Sequence, residues 1–179
     1  MVGTKGTRRR YAAGAVALVI ALFCSLTAKL FVWPATDPVT GAHADAVVVM
    51  GGPGPRWHMA LELAREHIAP VILLSVASVR WDCPAQSVGG VEVQCFRPDP
   101  FSTQGEARYA AAEARRQGWH SLILVSTVPQ STRARLRVKR CFGGSVRVVT
   151  APLSAGSWAY NVMYEWAALA KALVWQRSC

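Results

Sequence analysis

The chain has 179 residues, 52% of them apolar and only 17% charged, with a mean hydropathy of +0.22. That excludes a disordered chain and two separate compact domains, and leaves one domain with a short appendage. Lysine and arginine number 20 against 10 acids, a formal charge of +10, so charged partners should be anionic.

Chain order begins with Arg8, Arg9 and Arg10, directly before the charge-free run Tyr11–Ala28. Those 18 residues predict a helix of about 27 Å, close to the hydrocarbon thickness of a bilayer. Lys29 interrupts the run, Phe31, Val32 and Trp33 resume it, and Pro34 ends it. No good A-x-A cleavage site follows the core, and Phe23 occupies the place before Cys24 where lipoprotein processing needs a small residue. The expectation is an uncleaved, single-pass anchor over 11–33, with the basic tail 1–10 in the cytoplasm and the rest of the chain outside it. Lys5, Arg8, Arg9, Arg10 and Lys29 belong to that anchor, leaving 15 basic and 10 acidic residues, a net of +5. Half of the charge is therefore topogenic, and no nucleic-acid partner is expected.

Pro34–His43 reads as a linker. Ala46–Met50 is a continuous apolar run ending in Gly51-Gly52, the pattern of a buried parallel strand. Pro53 to Pro55 form a turn, and Pro55 suits the first turn of a helix running to about Ile68, with Ala60, Leu63, Ala64 and His67 on its buried face. Val71–Leu74 is a second strand ending at Ser75, and a short strand follows near 91–96. Gln104–Gln117 predicts a helix closed by Gly118. Ser121–Val125 is a strand ending in Ser126-Thr127, Gln130–Phe142 a basic helix, and Val146–Val149 another strand. Ser157–Gln176 is a last helix rich in Trp and Tyr. Strands alternating with helices predict an α/β fold over 44–179 with a mainly parallel sheet.

Cysteine usage agrees with export. Cys24 lies in the apolar run; Cys83, Cys95, Cys141 and Cys179 remain, and four cysteines allow three pairings. Cys83 and Cys95 bracket a loop containing Gly89-Gly90, and a Cys141–Cys179 bridge would tie down the C-terminal tail. No C-x-x-C occurs, and His43, His58, His67 and His120 lack ligand spacing, so no metal site is expected.

Ligands of open parallel sheets bind beyond the carboxyl ends of the strands. Gly51, Gly52, Ser75, Ser126 and Thr127 fall at such ends, Arg56 follows the first strand, and Ser102, Thr103 and Glu106 open a helix. Free helix amides and a forked cation suit phosphate or carboxylate. Bland roles compete. Thr103-x-x-Glu106 and Thr127-x-x-Gln130 both have capping-box spacing, and Arg133, Arg137 and Arg140 have the spacing of a solvated stripe. The Gly51–Gly54 turn has Trp57 where a dinucleotide fingerprint has its third glycine, so nicotinamide binding is disfavoured.

Asp45–Gly52 followed by Arg56 resembles the opening of the YdcF/SanA/ElyC family. The strand ending at Ser75, the segment Ser102–Ala107 and the segment Ser126 to Arg133-Ala134 resemble later family segments in the same order, over about 45–152. The resemblance implies a Rossmann-like three-layer sandwich and, for several members, a role in envelope integrity or cell-wall-related metabolism. It makes Arg56, Glu106 and Arg133 the polar core of the site. Two departures stand out. Gln130 occupies the usual histidine position and cannot shuttle a proton. The stretch between Ser75 and Cys95 is short, lacks the family's Ser-Gly pair, and holds Asp82 and Glu92 without a clear match to the family acid.

The reading that follows is a membrane-anchored protein acting on an anionic small molecule or a lipid-linked envelope precursor. Glu106 is the candidate catalyst, Arg56 and Arg133 hold the anion, and Gly51, Gly52, Ser75, Thr103, Ser126, Thr127 and Gln130 complete the binding edge. No cofactor is specified. The alternatives are a non-catalytic envelope scaffold that uses its last helix against the membrane or a partner, and a binder of S-adenosylmethionine suggested by fold analogy.

Overall fold

The computed structural model describes residues 4–52, 54–76 and 83–179; Pro53 of the first turn and Asp82 lie outside them. The N-terminal helix α1 spans Thr4–Thr27 and passes into a π-helical turn at Ala28–Val32. The stretch Arg9–Val32 is long and apolar enough to cross a membrane, and only 6% of its most apolar window is buried against the protein.

A six-stranded sheet follows. Its strands are β1 (Ala46–Val49), β2 (Val71–Ser75), β3 (Ser87–Val88), β4 (Val91–Phe96), β5 (Ser121–Thr127) and β6 (Ser145–Ala151), in the order β3-β4-β2-β1-β5-β6. Every pairing is parallel except β3 with β4, a hairpin turned by Gly89-Gly90. The central strands are apolar on both faces because helices cover both. Val48, Leu73, Leu122 and Leu124 pack with alanines of α3 (Thr103–Gln117) and with Ala134 and Val138 of α4 (Ser131–Cys141). Their neighbours Val47, Val49, Ile72, Leu74, Ile123 and Val125 pack with Ala60, Leu63 and Ala64 of α2 (Pro55–Arg65). The last helix, α5 (Trp158–Val174), turns Glu165, Leu169 and Ala172 inward.

The predicted strands and helices all form, with three corrections. α2 stops at Arg65, and His67 is exposed at φ 50° instead of lying on a buried face. The supposed linker is pinned to the edge strand: the Asp37 N–H donates to the Val148 carbonyl (3.0 Å), and the Val148 N–H donates to Asp37 Oδ2 (2.8 Å). The arginines of α4 are not a solvated stripe. Arg133 and Arg137 are buried, and Arg137 and Arg140 grip carbonyls of Ala172 and Gln176 at the end of α5. Of the three possible pairings, the structure has Cys83–Cys95 and Cys141–Cys179, and the second closes the tail onto α4.

Candidate functional site

The cleft at the carboxyl edge of the sheet is built from the ends of β1 and β5 and the starts of α2, α3 and α4. Its volume is about 570 Å³, and α5 forms its far wall. Of the residues singled out in sequence, Gly51, Arg56, Thr103, Glu106, Thr127, Gln130 and Arg133 line it. Gly52, Ser75 and Ser126 sit behind that lining, fully or nearly buried.

Glu106 is on the first turn of α3 but does not cap it. Ser102 does, its Oγ accepting from the Gly105 N–H (3.3 Å), so the capping-box reading is corrected. Instead Glu106 Oε1 accepts the Gly51 N–H (2.5 Å) just past the end of β1. Burial raises the Glu106 carboxyl above the ordinary carboxylate range. Ser75, the Gly51 amide, Arg56 and Arg133 pull the other way without reversing it. The Ser75 hydroxyl is among the groups that favour the charged form of Glu106. Ser75 Oγ and Ser126 Oγ are two buried polar atoms with no partner among the described residues.

Gly51 is required where it stands. Its φ of +81° is a left-handed conformation, and an added Cβ would come within 3.0 Å of Arg56 Nη1 and 3.3 Å of Gln130 Oε1. The tight backbone lets Arg56 fold over the turn, donating from Nη2 to the Gly51 carbonyl (2.5 Å) and from Nε to the Gly52 carbonyl (3.1 Å). Arg56 Nη1 reaches Gln130 Oε1 at 3.5 Å. Burial lowers the Arg56 pKa, opposed by the charge of Glu106, and no carboxylate forms an ion pair with it among the described residues.

Arg133 is in a different position. Its Nε and Nη2 donate to the two carboxylate oxygens of Glu165 on α5 at 2.7 and 2.6 Å, and Nη1 donates to Thr103 Oγ1 at 2.6 Å. The Tyr164 ring lies 5.8 Å from the guanidinium carbon. Burial disfavours the Arg133 charge, but Glu165 outweighs it and raises the pKa. Gln130 Nε2 also donates to Thr103 Oγ1 (3.2 Å), so this glutamine links α3, α4 and Arg56 and does not cap α4. None of the four histidines lines the cleft.

Sequence reasoning missed Glu165, together with the wall residues Asn161 and Tyr164. A signal was present: Glu165 is the single acid in a helix of 17 mostly apolar residues, and a lone buried acid there calls for a cationic partner. Chemically, the cleft presents one cation without a counter-carboxylate, one buried carboxyl whose pKa burial raises, and a neutralised Arg133–Glu165 pair. The described residues hold no cluster of His, Cys, Asp and Glu fit for a metal ion. No protein-family model, curated protein or solved structure matches the chain.

Proposed function

We propose that the chain is a membrane-anchored, YdcF-like protein whose extracytoplasmic domain has a Rossmann-like three-layer arrangement. In this reading it binds an anionic small molecule, or the anionic head of a lipid-linked envelope precursor, in the cleft at the carboxyl edge of the sheet. The carrying observation is Arg56, a part-buried guanidinium on the cleft wall with no carboxylate ion-pair partner among the described residues. An arginine held in place by two backbone carbonyls is pre-organised for an oxyanion. Burial raises the pKa of Glu106, which lowers the cost of bringing an anion beside this carboxyl. With its pKa raised, Glu106 is the cleft's candidate acid toward a bound leaving group, a role Gln130 cannot take. The two disulfides and the apolar N-terminal helix support the anchored, exported topology.

The test is ligand-induced thermal stabilisation of the full chain in detergent, with inorganic pyrophosphate, a polyprenyl phosphate, a nucleotide sugar and S-adenosylmethionine as separate arms. A rise in Tm with a phosphate-bearing arm, abolished by Arg56→Ala, is the expected outcome. A response to S-adenosylmethionine alone would replace the reading with a methyl-donor site. No response in any arm would leave the scaffold alternative standing.

A further inference from the structure

Helix α5 buries its one acid and leaves an apolar arc uncovered. Glu165, Leu169 and Ala172 turn inward, so its charged acid is buried. The opposite arc carries Tyr160, Met163, Ala167, Ala170 and Val174, all exposed, with Tyr164 and Trp175 at its margin and Lys171 as its one charge. Tyr160, Met163 and Trp175 are 73%, 74% and 78% exposed. A helix facing water carries polar residues on that side, and a contiguous uncovered apolar face marks an interaction surface.

What covers it follows from Trp166, on the flank of α5 next to this arc. The Trp166 ring stacks on Phe23 (5.2 Å between centroids) and meets Phe31 edge-on (5.1 Å), and its indole N–H donates to Thr27 Oγ1 (3.1 Å). All three partners belong to the apolar stretch Arg9–Val32. Phe23, Thr27 and Phe31 span about 12 Å of the helix axis and reach to within one residue of the end of that stretch. The contact therefore holds the middle of α5 beside the last turns of the apolar stretch. Leu30 reinforces it, its carbonyl accepting from Thr132 Oγ1 of α4 at 2.7 Å.

We infer that α5 is an in-plane interfacial helix, its Tyr160–Val174 face lying in the surface of the same bilayer that α1 enters. The inference rests on the proposed anchoring of α1. Tyr and Trp at the margin suit the headgroup level, and the long stem of Lys171 lets its ammonium reach anionic phosphates. A second copy or a soluble partner would have to reach a face that the anchor already holds against the membrane.

Site-directed spin labelling of the full chain, one copy per nanodisc of phosphatidylcholine and phosphatidylglycerol, tests it. A label on the native Cys24 of α1 reports on the anchor. Labels on Met163→Cys and Val174→Cys in a Cys24→Ser background report on α5, and Glu62→Cys, exposed on α2, is the aqueous reference. The expected result is collision with oxygen several-fold favoured over collision with a water-soluble nickel chelate at 24, 163 and 174, and the reverse at 62. If Cys24 reads lipid while 163 and 174 read water, the inference falls and the anchor stands. If Cys24 reads water, the anchoring falls and takes the inference with it. Protection at 163 and 174 that appears only in multi-copy preparations, with dipolar broadening between labels, assigns the face to a second copy and overturns the inference.

Discussion

The two ends of the sheet treat their polar groups in opposite ways. At the amino edge, one Asp45 carboxylate oxygen accepts from the His120 N–H (2.7 Å), the Ser121 N–H (2.8 Å) and the Ser121 hydroxyl (2.8 Å). Those bonds, the His120 amide first, hold its pKa below the ordinary value and fasten the starts of β1 and β5 together. At the carboxyl edge, Glu106 receives one backbone N–H and is pushed the other way by burial, while Ser75 and Ser126 end or nearly end their strands with no partner. Hydrogen-bonding capacity is used up where the sheet needs alignment and left over beneath the lining of the cleft. Residual, unsatisfied polarity is the mark of a site, because a fold gains nothing by keeping it.

The largest effect expected at the carboxyl edge comes from the part of it that is already satisfied. Glu165→Ala strands a buried Arg133 guanidinium, at a cost of about 3–5 kcal/mol in chemical denaturation. Glu165→Gln, which keeps the shape and loses the charge, should cost less. If both are harmless, Arg133 is a free cation of the cleft and the contrast with Arg56 collapses. Next in size is Asp45→Ala at the amino edge. Losing three hydrogen bonds to a carboxylate costs roughly 2 kcal/mol after partial replacement by water, with thermal response to ligand unchanged. A loss of ligand response there would mean that the two edges are coupled through β1.

The pH dependence of stability separates the edges by sign. The raised pKa of Glu106 means that the folded chain binds a proton the unfolded chain has already lost. Its contribution is full below the unfolded value and is lost as pH rises through the folded one, at up to about 1.4 kcal/mol per pH unit within that window. The lowered Asp45 works in reverse, contributing above its unfolded value and fading as pH falls through the folded one. Glu106→Gln keeps an oxygen for the Gly51 N–H and should remove the alkaline-side decline in Tm while leaving the acid-side decline in place. Anion binding, measured by calorimetry, should weaken across the same window in the wild type and become flat in the variant. A wild-type Tm with no alkaline-side decline would mean that Glu106 is ionised, and its role as a proton donor would be lost.

Much of this architecture was legible in the chain. Apolar runs closed by Gly51-Gly52, Ser75 and Ser126-Thr127 announced parallel strands and the edge where polar groups gather. Gly118 and Pro55 marked helix ends, and both disulfides were among the candidate pairings, although four cysteines alone left three open. Local spacing misled where tertiary contacts outbid it. Glu106 and Gln130 have the offsets of capping residues, but β1 and Thr103 lie close enough to take their side chains away. Arg133 and Arg137 have the period of a surface stripe, which α5 covers. The pairing of Arg133 with Glu165 joins residues 32 apart on helices whose approach no pattern encodes. That one missed contact reassigned an expected anion ligand to a structural pair.

The smallest expected effect is the most discriminating. Ser126→Ala removes a buried hydroxyl that has no partner, so stability should change by no more than about 0.5 kcal/mol, or rise. Ser75→Ala should be equally mild, with one further consequence. Because Ser75 favours the charged form of Glu106, its removal should push that carboxyl higher still and carry the alkaline-side loss of Tm to higher pH. A serine that merely fills space would leave the profile where it is. A serine whose loss costs 2 kcal/mol or more would belong with Asp45, among groups that hold the sheet together. The carboxyl edge would then be as fully committed to the fold as the amino edge, and Arg56 would be the one group left to define a site.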